Sequence, residues 1–350
     1  MTALLQAPAP RRAAPAPAPP TTRRQRARTA ILLSIATVIA AHVWLASRVE
    51  SDRPEWREPE FFHRVNAARA LKRTDARPLV AILGGSRPQM GLDPAALPAN
   101  AVNFSQSGCL PVGIWLNFTR LLDAGLDPRF ALIEVLPPVL ADGAPAEERL
   151  HPERLSEAEL ENLAPFIQDA DGAKSRWRAA RMRCMFDLRS PLRANLGLAE
   201  DRGEPERLWT HMTPRGWSPA PHRPTSEAER ERRLAVAHRT YAWLLGDFDI
   251  HTMNDRAYRM ILNACRERGI RSVLFTMPES PRFRSWYPPA ARAKFQTWFA
   301  TLAAEYGIPA IDASAWFDEE AAFLDGHHLT RAAAERFSER FGREWAAVPP

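Results

Sequence analysis

Cysteine is scarce and unpaired in this sequence: Cys109, Cys184 and Cys265 are the only three in 350 residues, and no C-x-x-C pair occurs. That spacing excludes a dense disulfide scaffold and leaves either one bridge or three buried thiols, with the thiols favoured. The nine histidines include no H-E-x-x-H and no cluster with ligand spacing. Neither a structural nor a catalytic metal is therefore expected, and no cofactor. Acidic residues are missing from the first 28 positions, which carry Arg11, Arg12, Arg23, Arg24, Arg26 and Arg28. These six arginines account for the whole net charge of +6, so the rest of the chain is balanced. A folded basic face is lacking, which argues against nucleic-acid binding.

What remains is ordinary for a globular chain, at 45% hydrophobic and 25% charged residues. Residues 7–20 are almost entirely Ala and Pro around two arginines, a composition that cannot pack a core. With the arginines that follow they make a disordered cytoplasmic tail over residues 1–28. Residues 29–47 then carry no formal charge. As a helix that stretch measures roughly 28 Å, close to the ~30 Å hydrocarbon thickness of a bilayer. Trp44 near its far end suits an interfacial aromatic. The arginine-rich side stays cytoplasmic, so everything beyond about residue 50 lies outside the cytoplasm. A cleaved signal peptide would have a shorter apolar region, and cleavage after Ala46 would place bulky Trp44 at the −3 position. The reading is an uncleaved single-pass anchor in the inner membrane, with a periplasmic or extracellular domain.

After a polar linker with a helical stretch (48–75), residues 76–346 alternate between short apolar runs and amphipathic segments. The runs at 78–83, 101–105, 130–136, 271–277 and 308–312 read as strands. Helices fit 113–124, with Ile114, Phe118, Leu121 and Leu122 on one face, and 254–268 and 289–306. A final helix follows Thr330, its plausible N-cap, with Ala333, Phe337, Phe341 and Trp345 as a core stripe. Such alternation predicts an α/β fold, a mostly parallel sheet with helices on both faces. Between about 141 and 250 the alternation stops, and an arginine-rich, helical pattern holds Trp177, Trp209, Trp217 and Trp243. This stretch reads as a helical insertion packed on the core, or as a lid or partner surface.

Chemistry concentrates beyond the carboxyl ends of the strands, where Ser86, Ser107 and Glu134 all fall and where ligands bind in such sheets. Ser86 follows a strand and two glycines, which permit a tight turn and close approach of a substrate. It is not the G-x-S-x-G elbow, because Pro88 occupies the last position. Asp325-Gly326-His327-His328 precedes the last helix. A three-residue offset on a bent loop can bring the carboxylate to Nδ1 of His328 and leave Nε2 for a serine hydroxyl. Arg87, Asn103, Glu134 and Arg282 lie at the same edge and are candidate substrate contacts. A salt bridge from Arg87 to Glu134 or Glu279 is the structural alternative.

These blocks resemble the SGNH (GDSL-like) hydrolase superfamily, whose serine follows the first strand and whose Asp-x-x-His precedes the last helix. Ser86 matches the first block, although Gly-Gly-Ser-Arg departs from the usual Gly-Asp-Ser, and Asp325, His328 and Leu329 match the last. Gly108 matches the glycine whose backbone N–H joins that of Ser86 in the oxyanion hole. The resemblance covers roughly residues 76–140 and 250–346 and implies a three-layer, flavodoxin-like fold. The superfamily's Gly-x-Asn-Asp block is missing; Ile133-Glu134-Val135-Leu136-Pro137-Pro138 stands there instead, without an asparagine donor. With the anchor, this is similar to membrane-tethered members that act on cell-envelope polymers, such as the D-alanine-transfer protein of teichoic-acid modification and the alginate O-acetylation proteins. The resemblance implies an exported serine esterase or O-acyltransferase acting on an acyl ester, a cell-envelope glycan among the substrates, and a multi-spanning acyltransferase as partner. The alternative is a tethered binding or assembly protein that keeps the fold with a weak or silent site.

Overall fold

The computed structural model describes residues 23–50, 58–144, 146, 150, 154–182, 212–220 and 226–347. Five strands form one sheet: β1 (Leu79–Leu83), β2 (Asn100–Asn103), β3 (Phe130–Glu134), β4 (Arg271–Thr276) and β5 (Ala310–Asp312). Their order is β2-β1-β3-β4-β5 and every pairing is parallel. The chain moves from β1 to one side for β2 and then to the other for β3. That reversal makes the carboxyl ends of β1 and β3 the switch point, where a crevice opens in doubly wound sheets.

The helices are α1 (Arg23–Glu50), α2 (Pro59–Thr74), α3 (Ser86–Gly91), α4 (Pro111–Asp123), α5 (Glu157–Asn162) and α6 (Ala170–Met182). They continue with α7 (Glu227–Gly246), α8 (Thr252–Glu267), α9 (Pro289–Tyr306) and α10 (Arg331–Ala346), and single turns lie at Pro137–Leu140 and Pro281–Arg284. All five residues of β1 are buried because alternate side chains feed two cores. Ala81 and Leu83 join Phe61, Phe118, Ile261 and Phe299 from α2, α4, α8 and α9. Val80 and Ile82 point the other way, onto Phe337 and Phe341 of α10. Helices therefore cover both faces, as the continuous apolar strands require. The Thr330 hydroxyl accepts from Ala333 N and starts α10 where the sequence places its cap.

Differences from the sequence reading are local. Residues 1–22 of the expected tail lie outside the described residues, but Arg23–Arg28 are already helical, so α1 starts before residue 29. Its window Arg24–Trp44 is 21 residues long with mean hydropathy 1.5, the one helix among the described residues long and apolar enough to cross a membrane. The helix expected within a linker, α2, belongs to the folded domain, since Phe61, Phe62, Val65 and Ala68 are core residues. The insertion is helical in α5, α6 and α7. Residues 212–220 are not: Arg215 O accepts from Asn103 N at 2.9 Å, which covers the free edge of β2. Trp217 anchors that cover, 4% exposed, its indole donating to Met90 O at 2.8 Å. Trp209 and Cys184 lie outside the described residues, and Cys109 and Cys265 are free thiols.

Candidate active site

The serine is presented by a turn that another strand holds. β1 ends at Leu83, Gly84 and Gly85 make the turn, and Ser86 is the first residue of α3. Gly85 N donates to Glu134 Oε2 at 2.8 Å, across the switch point at the end of β3. Gly84 has no room for a side chain: a Cβ there would meet Pro88 Cγ at 2.5 Å and Glu134 Oε2 at 2.6 Å. The following loop closes on the same turn, with Gln106 N donating to Gly84 O at 3.1 Å.

The histidine arrives from the loop before α10. A bridge between Phe323 and Leu329, and a bond from Leu324 N to His328 O at 2.8 Å, pinch this loop at its base. Gly326 takes φ +93°, a left-handed conformation that side chains disfavour. The bend lets Asp325 Oδ1 accept from the backbone N–H groups of His327 at 3.2 Å and His328 at 2.9 Å. Its other oxygen, Oδ2, lies 2.7 Å from His328 Nδ1. His328 Nε2 in turn lies 2.7 Å from Ser86 Oγ. Residues 242 positions apart are thus joined in one hydrogen-bonded chain from carboxylate to imidazole to hydroxyl. A hydroxyl so placed can lose its proton to the imidazole as it attacks, while the carboxylate fixes the ring's tautomer. Burial alone would raise the Asp325 carboxyl, but the charges and hydrogen bonds of His327 and His328 hold it well below the ordinary carboxylate range.

Four predicted substrate contacts have other partners. Arg87 is 1% exposed, between Glu134 Oε1 at 3.6 Å and Glu279 Oε1 at 3.5 Å, and donates to the carbonyls of Met277 and Pro278. It is the structural ion pair and offers no surface to a ligand. Burial pushes both partner carboxyls up, and Arg87 opposes the shift in each. Glu134 is 2% exposed and occupied by Gly85 and Arg87. Asn103 is fully buried, donating to Pro88 O at 2.7 Å and Leu92 O at 3.0 Å and accepting from Ser105 N at 3.0 Å. Arg282 is exposed and paired with Glu231 of α7. Gly108 sits exposed on the turn after β2, at φ +73°.

A cavity of about 190 Å³ opens against that turn and α4, lined among others by Cys109, Leu116, Asn117, Arg120, Leu155 and Met253. Glu58 lies on its wall, 3.6 Å from Arg120 Nη1 and 3.8 Å from Arg154 Nη1. Burial pushes the Cys109 thiol up to about 12, so it is no competing nucleophile.

Asp325, His327 and His328 each offer one ligand atom, all within 4.8 Å of one another. Both ring nitrogens of His328 are already engaged, so a cation held by it would have to break one of the two 2.7 Å contacts. Sequence reasoning gave His327 no role, and it named Glu279 as an alternative to Glu134 on Arg87, where the structure has both. It missed Tyr241, whose ring centroid lies 5.1 Å from that of His327. Only the His-His doublet was visible as a signal; Tyr241 comes from an insertion with no motif.

No protein-family model matches the chain, and no curated protein matches it. Among the solved structures that are similar, two match at 11% identity. One is a proposed acylhydrolase from Bacteroides fragilis, with TM-score 0.36 over 76% of this chain and 86% of that one. The other is a GDSL-like lipase from Bacteroides thetaiotaomicron, with TM-score 0.35 over 81% of this chain and 97% of that one. The fold rests on the sheet order and parallel connections, and the site on its own geometry.

Proposed function

We propose that this protein is a membrane-tethered serine esterase or O-acyltransferase of the SGNH type. The observation that carries the reading is the Ser86–His328–Asp325 chain, two contacts of 2.7 Å assembled from opposite ends of the domain. Ser86 Oγ attacks an ester carbonyl and His328 Nε2 takes its proton. Asp325 remains ionised and stabilises the imidazolium. The N–H groups of Ser86 and Gly108 receive the tetrahedral oxyanion, donors of a kind worth about 3–4 kcal/mol each. Expulsion of the alcohol, protonated by His328, leaves an acyl-serine. Water or a second hydroxyl then takes the acyl group by the same steps in reverse. The cavity that Gly108 lines is the proposed place for the rest of the ester. An uncleaved α1 would hold the domain on the outer side of the inner membrane, where a cell-envelope glycan is the acyl acceptor or donor and a multi-spanning acyltransferase the partner.

A fluorophosphonate probe tests the reading. The wild-type protein is expected to be labelled, and Ser86→Ala to abolish labelling while leaving the fold intact. A second reading, a tethered binding or assembly protein, draws support from the absence of a side-chain donor after β3: Glu134 stands there, buried and committed to Gly85 and Arg87. A folded wild type that resists the probe would favour it.

A further inference from the structure

We propose that Tyr241, on the insertion helix α7, is a positioning residue for His328 and acts through the ring of His327; this rests on the reading of His328 as the general base. The three rings touch in series. Tyr241 meets His327 edge-on, centroids 5.1 Å apart at 80°, and His327 lies 4.0 Å from His328. Phe283 packs against two of them, 5.8 Å from Tyr241 and 5.3 Å from His327.

The His327 ring depends on this packing. Its Nδ1 is buried and lies 3.2 Å from Asp325 Oδ1, without a well-formed hydrogen bond. Burial, followed by the neighbouring His328, lowers its pKa to about 4, so near neutrality it is an uncharged plate rather than a rival for the Asp325 charge. The charged and titratable groups around His328 are Asp325 and His327 on its own loop and Glu134 on β3, with Arg87 of α3 behind Glu134. Tyr241 faces the same cluster from α7, and burial pushes its phenol up, so it stays neutral.

Other contacts tie α7 to this loop. Leu234 Cδ1 lies 2.7 Å from the place a Cβ on Gly326 would occupy. His238 packs on Trp286 at 4.9 Å, and Trp286 on Phe283 at 4.6 Å. Glu231 pairs with Arg282 on the turn that carries Phe283. The insertion thus supplies one wall of the site. Rotation of His328 would break both of its 2.7 Å contacts, and the His327 plate, backed by Tyr241, stands against it.

The test uses the full-length protein in detergent micelles, with Tyr241→Phe, Tyr241→Ala and Tyr241→Leu. Two readouts are taken: the pH profile of the fluorophosphonate labelling rate, and the NMR titration of the His328 ring, assigned by its loss in His328→Asn. Tyr241→Phe keeps the ring and is expected to match wild type in both. Tyr241→Ala is expected to slow labelling by about 100-fold, the order of loss from a misplaced catalytic group, and to shift the His328 titration. Tyr241→Leu, which keeps apolar bulk, replaces Tyr241→Ala if that variant does not fold, with the same expectation. A folded Tyr241→Ala or Tyr241→Leu with wild-type labelling and an unmoved His328 titration overturns the proposal. If the wild type is never labelled but the titration still moves, the enzymatic reading falls and the positioning contact stands.

Discussion

Glu134 accepts the backbone N–H of Gly85 at 2.8 Å, so the turn that presents Ser86 is fastened to the neighbouring strand. The same carboxylate faces Arg87 at 3.6 Å, and the place where the family resemblance implies an asparagine donor is therefore given to structure. Glu134→Ala is expected to cost about 3–5 kcal/mol, because it leaves Arg87 short of one partner in a buried cluster. Glu134→Gln keeps an acceptor for Gly85 and is expected to cost less, with labelling of Ser86 largely retained. Chemical denaturation of the three proteins, with labelling of the folded fraction, decides the point. Equal losses in both variants would show that the Gly85 contact is irrelevant.

Asp325→Asn tests the other end of the site. An amide at this place can offer Nδ2–H to His328 Nδ1 and favour the wrong tautomer, which costs about 10⁴-fold in a Ser-His-Asp enzyme. A fall in labelling rate of that order is expected, with Ser86 still present and the domain folded. A fall of less than about tenfold would remove Asp325 from the mechanism.

Much of the fold was legible because its signals are local. The unbroken apolar run of β1, the Phe337/Phe341 stripe of α10 and the Thr330 cap each depend on residues within a few positions of one another. The triad residues could be chosen because the parallel-sheet rhythm places the ends of strands and the loop before the last helix at one edge. Burial of polar groups was legible only in part. An ion pair of Arg87 with Glu134 or Glu279 stands beside the substrate reading in the sequence, whereas Asn103 looks like a substrate contact until the carbonyls of Pro88 and Leu92 are seen to enclose it. Tyr241 was hidden for a related reason: its contact with His327 spans 86 positions and no periodicity records it. The edge cover at 212–220 escaped notice because a tryptophan-rich, arginine-rich stretch reads as helix, whereas Gly216 passes so close to β2 that a Cβ there would lie 2.3 Å from Asn103 O.

His327 makes stability depend on pH with a definite sign. Its pKa falls from an ordinary 6.5 to about 4 in the folded state, so between those values the unfolded chain binds a proton that the native protein does not. Stability from this group is therefore full above about pH 6.5 and is lost as pH falls toward 4, by roughly 3 kcal/mol. His327→Phe keeps a ring between Tyr241 and His328 but removes the proton site. Urea unfolding at pH 4.5 and pH 7 is expected to show a smaller drop for His327→Phe than for wild type. An unchanged drop would place the acid sensitivity elsewhere.

The cavity beside Gly108 gives a substrate-side prediction. Leu116 lines it from α4 and is 5% exposed. Leu116→Trp should occupy part of the space, at a packing cost of about 1–3 kcal/mol, whereas Leu116→Met conserves volume and should cost less. If the ester extends into the cavity, Leu116→Trp raises KM for bulky esters several-fold, leaves KM for the smallest ester near wild type, and leaves Ser86 labelling by a small fluorophosphonate intact. Leu116→Met should behave as wild type with all of them. A tryptophan variant whose KM is unchanged for every ester size would exclude the cavity from substrate binding, with the Ser86–His328–Asp325 chemistry untouched by that result.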